Sequence, residues 1–420
     1  GSLEAMTAEF DLAYQKQFSF LMSGRALIAE AVSVEAIGDS DAPAEPTVPQ
    51  GSRNGPPVLA ETVDMFTGGR QHRAPMFRRE ALQPGDRVDG PAIIAEANAT
   101  TVIEPGWQAQ VTRQDHLVLT RVAARPARVA IGTRVDPVML EIFNNLYMSI
   151  AEQMGVRLAN TAHSVNIKER LDFSCALFDG IGNLIANAPH MPVHLGSMGE
   201  SIRTVIRENA DTMRPGDVYV LNAPYNGGTH LPDVTVITPV FDASGGSVLF
   251  YVGSRGHHAD IGGITPGSMP PDSRTVEDEG VLIDNFKMVE GGRLREAETI
   301  ALLSSGRYPA RNVAQNLADL RAQVAANEKG TQELRKMVEH FGLDVVNAYM
   351  GHVQDNAEEA VRRVIDVLKD GTFRYEMDNG GVICVRITID KPGRRAVIDF
   401  SGTSAQLDGN FNAPSAVCMA

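Results

Sequence analysis

The sequence predicts an α+β protein with mixed β-sheets and long helices, divided into two domains that we expect to be truncated. Strand-like runs occupy 86–121 and 171–255, and two long helical segments follow at 311–341 and 343–369. The composition changes at 121–137, which places the predicted boundary between domains of residues 1–125 and 126–420. A content of 43% hydrophobic and 21% charged residues is typical of globular proteins.

The first predicted domain is a small α+β unit. Residues 4–20 are predicted to be a helix, because Phe10, Tyr14 and Phe18 are spaced four apart. The pattern then predicts a strand over 26–38 and a loop rich in proline and glycine over 38–57. We identify no phosphate-binding loop and no cluster of metal-ligating residue types in this domain.

The second predicted domain opens with a helix. Asp136 provides a capping carboxylate and Pro137 occupies the first helical position. Apolar residues then repeat at helical spacing from Val138 to Leu158. In the last long helix, an apolar face is predicted to run from Val346 to Leu368, and strands return near 382–402.

The bulk properties restrict partners and location. A formal net charge of −14 argues against nucleic acid and anionic membranes as partners. The three cysteines, Cys175, Cys384 and Cys418, are far apart and form no metal-binding CxxC motif. Neither a signal peptide nor a transmembrane run is recognisable. We therefore expect a cytoplasmic protein. We also expect a homo-oligomer, an expectation that does not rest on these bulk properties.

A predicted β-hairpin brings two groups of polar residues together. The runs 234–241 and 247–254 are apolar and β-branched, and "DASGG" between them is typical of a turn. His230 and Asp233 precede the first strand, whereas "RGHHAD" ends the second. Both groups should therefore lie at one edge of a sheet.

These residue types favour a divalent metal. Imidazole and carboxylate ligands suit Zn, Mn or Fe(II), and His230 and Asp233 are three residues apart. Because adjacent residues of a strand point in opposite directions, one of His257 and His258 should be the third ligand. Asp172, at the start of another strand, is a candidate fourth ligand. Structural hydrogen bonds remain the alternative for the whole cluster.

Other polar residues are weaker candidates. His190 and His194 flank a proline in "HMPVHLG", a pattern typical of a stiffened loop, although a second site or a shared pocket is possible. Glu279 lies in an acidic segment that we expect to be a mobile loop, although it could enter a pocket. The candidate substrate-binding residues are His190, His194, Arg255 and Glu279. His258 and Asp260 are the candidates for proton transfer or orientation.

The same segments resemble a known family. "GPAIIAEANATTVIEPGW" (90–107) is similar to the C-terminal end of hydantoinase A/oxoprolinase proteins. "RLDFSCALFD", "HMPVHLGSM", "GGTHLPDVTVITPVF", "GSRGHHADIGG" and "FSGTSAQLDGNFNAP" resemble hydantoinase B in order and spacing. An A-type tail followed by a B-type head is the arrangement of fused ATP-dependent 5-oxoprolinases, so residues 1–125 and 126–420 would be parts of those two domains.

The resemblance implies an activity and a site. In this family the A-type part phosphorylates a cyclic amide with ATP and Mg, and the B-type part hydrolyses the activated ring. It implies that Asp172, His230, Asp233 and His257 are the metal ligands, with His257 rather than His258 in the centre. The nucleotide site is expected outside this segment, in the remainder of the A-type domain, so the segment alone should be inactive.

Three alternatives remain open from the sequence. The chain could belong to an N-methylhydantoinase, or to an acetone or acetophenone carboxylase-type subunit. It could also be a non-catalytic scaffold whose polar clusters are structural. Substrate turnover separates the enzymes, and metal analysis separates them from the scaffold.

Overall fold

The structure is a computed structural model that describes residues 2–22, 26–36, 38, 47, 55–123, 132–267 and 270–420. The chain forms two compact units. The larger contains Gly1–Ile28 together with Ile131–Ala420, and the smaller contains Ala29–Ala130. The larger unit thus includes the N-terminal helix, which the sequence-based boundary at residue 125 assigns to the other domain.

The described residues of the smaller unit form two sheets with strand orders β1-β2-β4-β5 and β3-β6-β7. Neighbouring strands are antiparallel except β2 and β4, which are parallel. Its core is apolar and includes Ile94, Ile103 and Val111. The predicted strands of 86–121 are therefore confirmed. The strands are β1 (Glu61–Thr67), β2 (Arg70–Arg78), β3 (Arg87–Asp89), β4 (Ala92–Ala95), β5 (Thr100–Ile103), β6 (Trp107–Val111) and β7 (Leu117–Arg121).

The strand predicted over 26–38 is wrong for its described residues. Residues 26–36 and 38 belong to no helix or strand, and residue 37 lies outside the described residues. The apolar side chains that suggested a strand are exposed, including Ile28 at 85% and Val34 at 89%. Apolar content without a partner strand does not make a strand, because the backbone groups need pairing. The predicted loop over 38–57 lies mostly outside the described residues.

The larger unit is built on a seven-stranded sheet of order β14-β13-β10-β11-β12-β8-β9, in which all neighbours are antiparallel. Its strands are β8 (Phe173–Asp179), β9 (Leu184–Asn187), β10 (Val218–Leu221), β11 (Asp233–Phe241), β12 (Val248–His257), β13 (Phe286–Glu290) and β14 (Arg293–Leu294). A separate sheet contains β15 (Gly371–Glu376), β16 (Val382–Asp390) and β17 (Arg395–Asp399).

Helices cover both faces of the large sheet. The helices are α1 (Leu3–Phe18), α2 (Pro137–Thr161), α3 (Val165–Lys168), α4 (Pro192–Asn209), α5 (Val276–Glu279), α6 (Glu296–Leu303), α7 (Val313–Phe341), α8 (Leu343–Val367) and α9 (Ser415–Met419). Helix α4 packs on one face through Met198 and Ile202. Helices α2 and α7 pack on the other face, where Met154 and Ala326 join the core.

The predicted helices are largely confirmed. The Asp136 carboxylate accepts the Met139 backbone N–H, and Pro137 occupies the first turn of α2. Helices α7 and α8 meet at Gly342, as predicted. The apolar face of α8 is buried only in its first half, since Val346 and Tyr349 are covered whereas Val361 and Val364 are more than half exposed.

Helix α1 joins the larger unit through aromatic packing. The rings of Tyr14 and Phe18 lie 4.6 Å apart, and both pack against the core that buries Phe20. The Gln332 side chain of α7 donates to the Lys16 carbonyl at 2.8 Å. Across the described ranges, no helix has the length and apolar character needed to cross a bilayer.

Candidate metal centre

The hairpin of β11 and β12 places the two polar groups side by side. Asp233 and His257 are direct partners in the antiparallel register, at the end of the hairpin opposite its turn. The convergence predicted from strand lengths is confirmed. The hairpin lies in the middle of the sheet, so its open end is held by β10 on one side and β8 on the other.

Three side chains direct ligand atoms to one point. The Asp233 Oδ1 atom lies 3.0 Å from His230 Nε2 and 3.0 Å from His257 Nδ1. The two imidazole rings have their centroids 5.1 Å apart. Among the described residues, these form the one group of three such side chains whose ligand atoms lie within 4.8 Å of one another.

The other carboxylate oxygen of Asp233 faces away from this point. Its Oδ2 atom accepts a hydrogen bond from Thr229 Oγ1 at 3.0 Å and lies 3.1 Å from His194 Nε2. Asp233 is only 2% exposed, so both oxygens depend on protein partners. The carboxylate thus has one oxygen in the cluster and one in a supporting network.

The hydrogen bonds control the charge of the carboxylate. Burial raises the pKa of Asp233, but hydrogen bonds from His194, His230 and His257 outweigh it and hold the pKa well below its usual value. Burial lowers the pKa of His257, but the Asp233 hydrogen bond and the Asp233 and Asp172 charges outweigh it and raise the pKa. A carboxylate kept ionised in a buried site is suited to bind a cation.

Asp172 lies next to the cluster without joining it. Its backbone carbonyl accepts the His257 N–H at 3.0 Å, and its carboxylate is close enough to favour protonated His257. Its ligand oxygens are not part of the group that converges on Asp233 Oδ1. Its predicted role as fourth ligand remains a prediction.

Arg255 does not lie where a substrate-binding residue would. Its side chain is fully buried between β12 and α4. It donates hydrogen bonds from Nε to Thr235 Oγ1 at 2.7 Å, from Nη2 to Ser201 Oγ at 2.8 Å, and from Nη1 to Ser197 Oγ. Burial lowers its pKa to about 10. These contacts join sheet to helix and leave no side-chain surface for a substrate.

His258 points to the face of the sheet opposite His257, as strand alternation predicts. Its Nε2 lies 3.1 Å from Gln323 Oε1 and its Nδ1 lies 3.1 Å from Asn316 Nδ2, both on α7. The side chain is 1% exposed, and burial lowers its pKa. Both nitrogens are occupied by protein partners, which favours a role in joining the hairpin to α7 over proton transfer.

Asp260 is also held by structural contacts. Its Oδ2 accepts Arg311 Nη1 at 2.7 Å, and its Oδ1 accepts the backbone N–H groups of Gly262 and Arg311. These bonds fix the segment after β12 against the residues before α7. Of the two predicted roles, proton transfer or orientation, these contacts favour orientation.

The "HMPVHLG" segment is not a stiffened loop. Pro192 is the first residue of helix α4, and His194 lies in its first turn with 3% exposure. His190 lies before the helix, where its Nδ1 accepts the Cys175 backbone N–H at 3.1 Å. Proline at the first helical position was the signal available in the sequence. His194 therefore contacts the cluster, whereas His190 packs against the Phe173 ring.

Glu279 lies at the end of the short helix α5, within the segment expected to be a mobile loop. Burial raises its pKa, and Ser273 Oγ donates to Oε1 at 3.2 Å. Its carboxylate is within electrostatic range of His230. Gly263, at φ +92°, allows the segment after β12 to pack here, because a Cβ would lie 2.7 Å from the Glu279 carbonyl.

Sequence reasoning missed the polar side chains that support the cluster. Thr229 holds Asp233, and the Gln323 amide donates to the carbonyls of Val234 and Ser254 at 2.9 and 3.1 Å. Gln323 is one of several buried polar residues on one face of α7, which also includes Asn316 and Asn327. Their helical spacing was visible in the sequence, but a polar face of a helix is usually exposed to solvent.

The cluster fits a divalent cation. Ligand atoms 3.0 Å apart can share an ion whose ligand distance is roughly 2.1 Å with little movement. Two imidazoles and one ionised carboxylate are a donor set used for Zn, Mn and Fe(II).

The chain belongs to the hydantoinase B/oxoprolinase family, because the sequence model of that family matches residues 136–420. Residues 2–121 match the hydantoinase/oxoprolinase C-terminal domain. The resemblance predicted from the motifs is therefore confirmed. The centre at the open end of the hairpin lies wholly within the hydantoinase B segment.

Relatives match over the whole chain. 5-oxoprolinase 1 of Arabidopsis thaliana is 41% identical over 445 aligned residues, which cover 100% of this chain and 35% of the relative. 5-oxoprolinase of Dictyostelium discoideum is 40% identical, with 98% of this chain and 33% of the relative covered. The chain thus spans about one third of the length of these relatives.

A solved structure shares its fold with about two thirds of this chain. The ATP-dependent caprolactamase from Pseudomonas jessenii has a TM-score of 0.60 and 27% sequence identity to this chain. The match covers 68% of this chain and 49% of the caprolactamase chain. The α+β fold class predicted from the sequence is confirmed.

Proposed function

We propose that the chain acts within an ATP-dependent hydrolase of cyclic amides, with 5-oxo-L-proline as the substrate. The overall reaction would convert 5-oxo-L-proline, ATP and water to L-glutamate, ADP and phosphate. The identity of 41% to 5-oxoprolinase 1 of Arabidopsis thaliana over the whole of this chain supports this proposal, as do the two family matches within this chain. The caprolactamase, named as ATP-dependent and acting on another lactam, supports the reaction class.

The hydantoinase B segment would carry the hydrolytic step. His230 Nε2, Asp233 Oδ1 and His257 Nδ1 would hold a divalent metal, with Asp172 as a further candidate. Such a metal polarises a carbon–oxygen bond or lowers the pKa of water. ATP and Mg would bind in an A-type nucleotide domain outside these residues. The identity of the metal stays open among Zn, Mn and Fe.

The protein side chains around the cluster would orient the centre and hold protons. Glu279 is half-buried with a raised pKa beside His230, so its carboxyl is suited to hold a proton near the substrate. His190 remains a prediction as a substrate contact. Arg255, His258 and Asp260 have their polar atoms occupied by protein partners, so we assign them to positioning.

Substrate turnover tests this function. A polypeptide of the relatives' length that contains these 420 residues should release glutamate and ADP in equal amounts from 5-oxo-L-proline. Hydantoin, N-methylhydantoin, caprolactam, and acetone with bicarbonate serve as comparison substrates. Turnover of one of these without glutamate release from 5-oxo-L-proline would refute the assignment. Glutamate release by the 420-residue chain alone would refute the expectation that it needs an A-type nucleotide domain.

A further inference from the structure

Helix α4 contacts the Asp233 carboxylate at Oδ2, the oxygen that faces away from His230 and His257. His194 projects from the first turn of α4 and brings Nε2 within 3.1 Å of Asp233 Oδ2. The side chains of His194 and Asp233 are 4% and 3% exposed, so no bulk solvent competes for this contact. An imidazole nitrogen that faces a carboxylate oxygen carries the proton and donates it.

The division of Asp233 between two sets of partners has a geometric consequence. Oδ2 is taken by His194 and Thr229, whereas Oδ1 faces His230 and His257. A carboxylate free to rotate could offer either oxygen or both to a cation. Held in this way, it offers Oδ1 alone in the direction of the two imidazoles.

Helix α4 is itself fixed to the sheet by Arg255. The buried guanidinium donates to Ser197 and Ser201 on α4 and to Thr235 on β11. Ser197 lies one turn after His194, and its hydroxyl donates to the Val193 carbonyl, with the His194 carbonyl 3.2 Å away. Ser201 donates to the Gly227 carbonyl, which ties α4 to the loop that leads to His230.

We propose that His194 is a positioning residue of the metal centre, which directs Asp233 Oδ1 at the cation while Arg255 holds α4 in place. This inference rests on the proposed metal centre and assigns His194 to the centre rather than to the substrate. Residues that hydrogen-bond to a metal ligand typically change metal affinity by about 10–100-fold when they are removed.

Two variants of His194 with different reach provide the test. In His194→Gln the amide N–H can occupy the position of Nε2, whereas in His194→Asn the shorter side chain cannot reach Asp233 Oδ2. Mn²⁺ binding would be followed through the EPR signal of the free ion. We expect His194→Gln to bind within a few-fold of wild type, and His194→Asn to bind about 10–100-fold more weakly.

A structural role alone would not produce this contrast. Circular dichroism and thermal unfolding in EDTA would establish that both variants are folded. His163 is an exposed histidine of the same unit, so His163→Ala provides a control that should bind Mn²⁺ with wild-type affinity. Equal Mn²⁺ affinity in folded His194→Asn and wild type would overturn the inference. Wild-type protein that binds no Mn²⁺, Zn²⁺ or Fe²⁺ would instead overturn the proposed centre, so the two failures are distinguishable.

Discussion

Asp233 is the residue on which the account of the site depends. It is nearly fully buried, yet three neighbouring histidines keep it ionised, and Thr229 donates a further hydrogen bond to it. Burying a carboxylate is costly, and the cost falls when the carboxylate is hydrogen-bonded and has a partner of opposite charge. A divalent cation on the Oδ1 side would supply that partner, which gives physical reason for so many polar residues at one strand end.

His190 should make stability depend on pH. Burial, with a contribution from the His194 charge, lowers its pKa from 6.5 to about 4, so it is neutral in the folded state at pH 7. Between these values the unfolded chain binds more protons, so folded stability falls as the pH falls from about 6.5 towards 4. His190→Asn keeps an acceptor for the Cys175 N–H but cannot titrate.

We therefore expect the His190→Asn variant to lose less stability than wild type between pH 7 and pH 4.5, by about 1 kcal/mol after allowance for partial exposure. Urea unfolding in EDTA at both pH values measures the difference. Identical losses in the two proteins would contradict the assigned shift of the His190 pKa.

Strand alternation was enough to predict part of the site at this scale. It predicted that only one of His257 and His258 faces the cluster, and the family resemblance indicated His257. The structure places His257 in the cluster and His258 against α7. The partner of Asp233 Oδ2 could not be predicted, because a contact between the start of α4 and the end of β11 depends on tertiary packing. A proline before His194 was also interpreted as a loop rather than as a helix start.

At the scale of elements, the β11–β12 hairpin determines the site. Its register pairs Asp233 with His257, and a shift by one residue would turn His257 to the opposite face. Long periodic helices and alternating strands were predictable because local pattern and burial agree there. The strand prediction for 26–36 was wrong because the apolar residues there are exposed and have no packing partner among the described residues. A local sequence pattern does not show whether such a partner exists.

A glycine of α2 tests how closely this helix packs against His190. A Cβ on Gly155 would lie 2.8 Å from two atoms of the His190 ring and 3.1 Å from Phe173. We expect Gly155→Ala to lower the free energy of unfolding by about 1–3 kcal/mol, because overpacking outweighs the gain in helix propensity.

Gly351 of α8 provides the matched control for this substitution. A Cβ there meets no atom within 4 Å, so Gly351→Ala should raise the free energy of unfolding by about 0.4–1 kcal/mol. Urea unfolding of both variants at pH 7 compares the two helices directly. An equal stabilisation in both variants would show that α2 has room beside His190.

At the scale of the whole molecule, the chain contains two compact units, and the cluster lies in the larger one. Residues 136–420 match the hydantoinase B/oxoprolinase family, and residues 2–121 match the hydantoinase/oxoprolinase C-terminal domain. Helix α1 falls in the second of these segments but packs with the larger unit. Sequence composition marked a change at 121–137, but long-range packing of this kind was not visible in it.

Metal analysis of the purified chain tests the central claim most directly. Inductively coupled plasma mass spectrometry would be applied to wild type, His230→Ala, Asp233→Ala and His72→Ala, a control histidine in the smaller unit. We predict about one divalent metal per chain in wild type and His72→Ala, and strong loss in the other two because each removes one of three ligands. Equal metal content in all four proteins would contradict the assignment of His230, Asp233 and His257 as a metal centre.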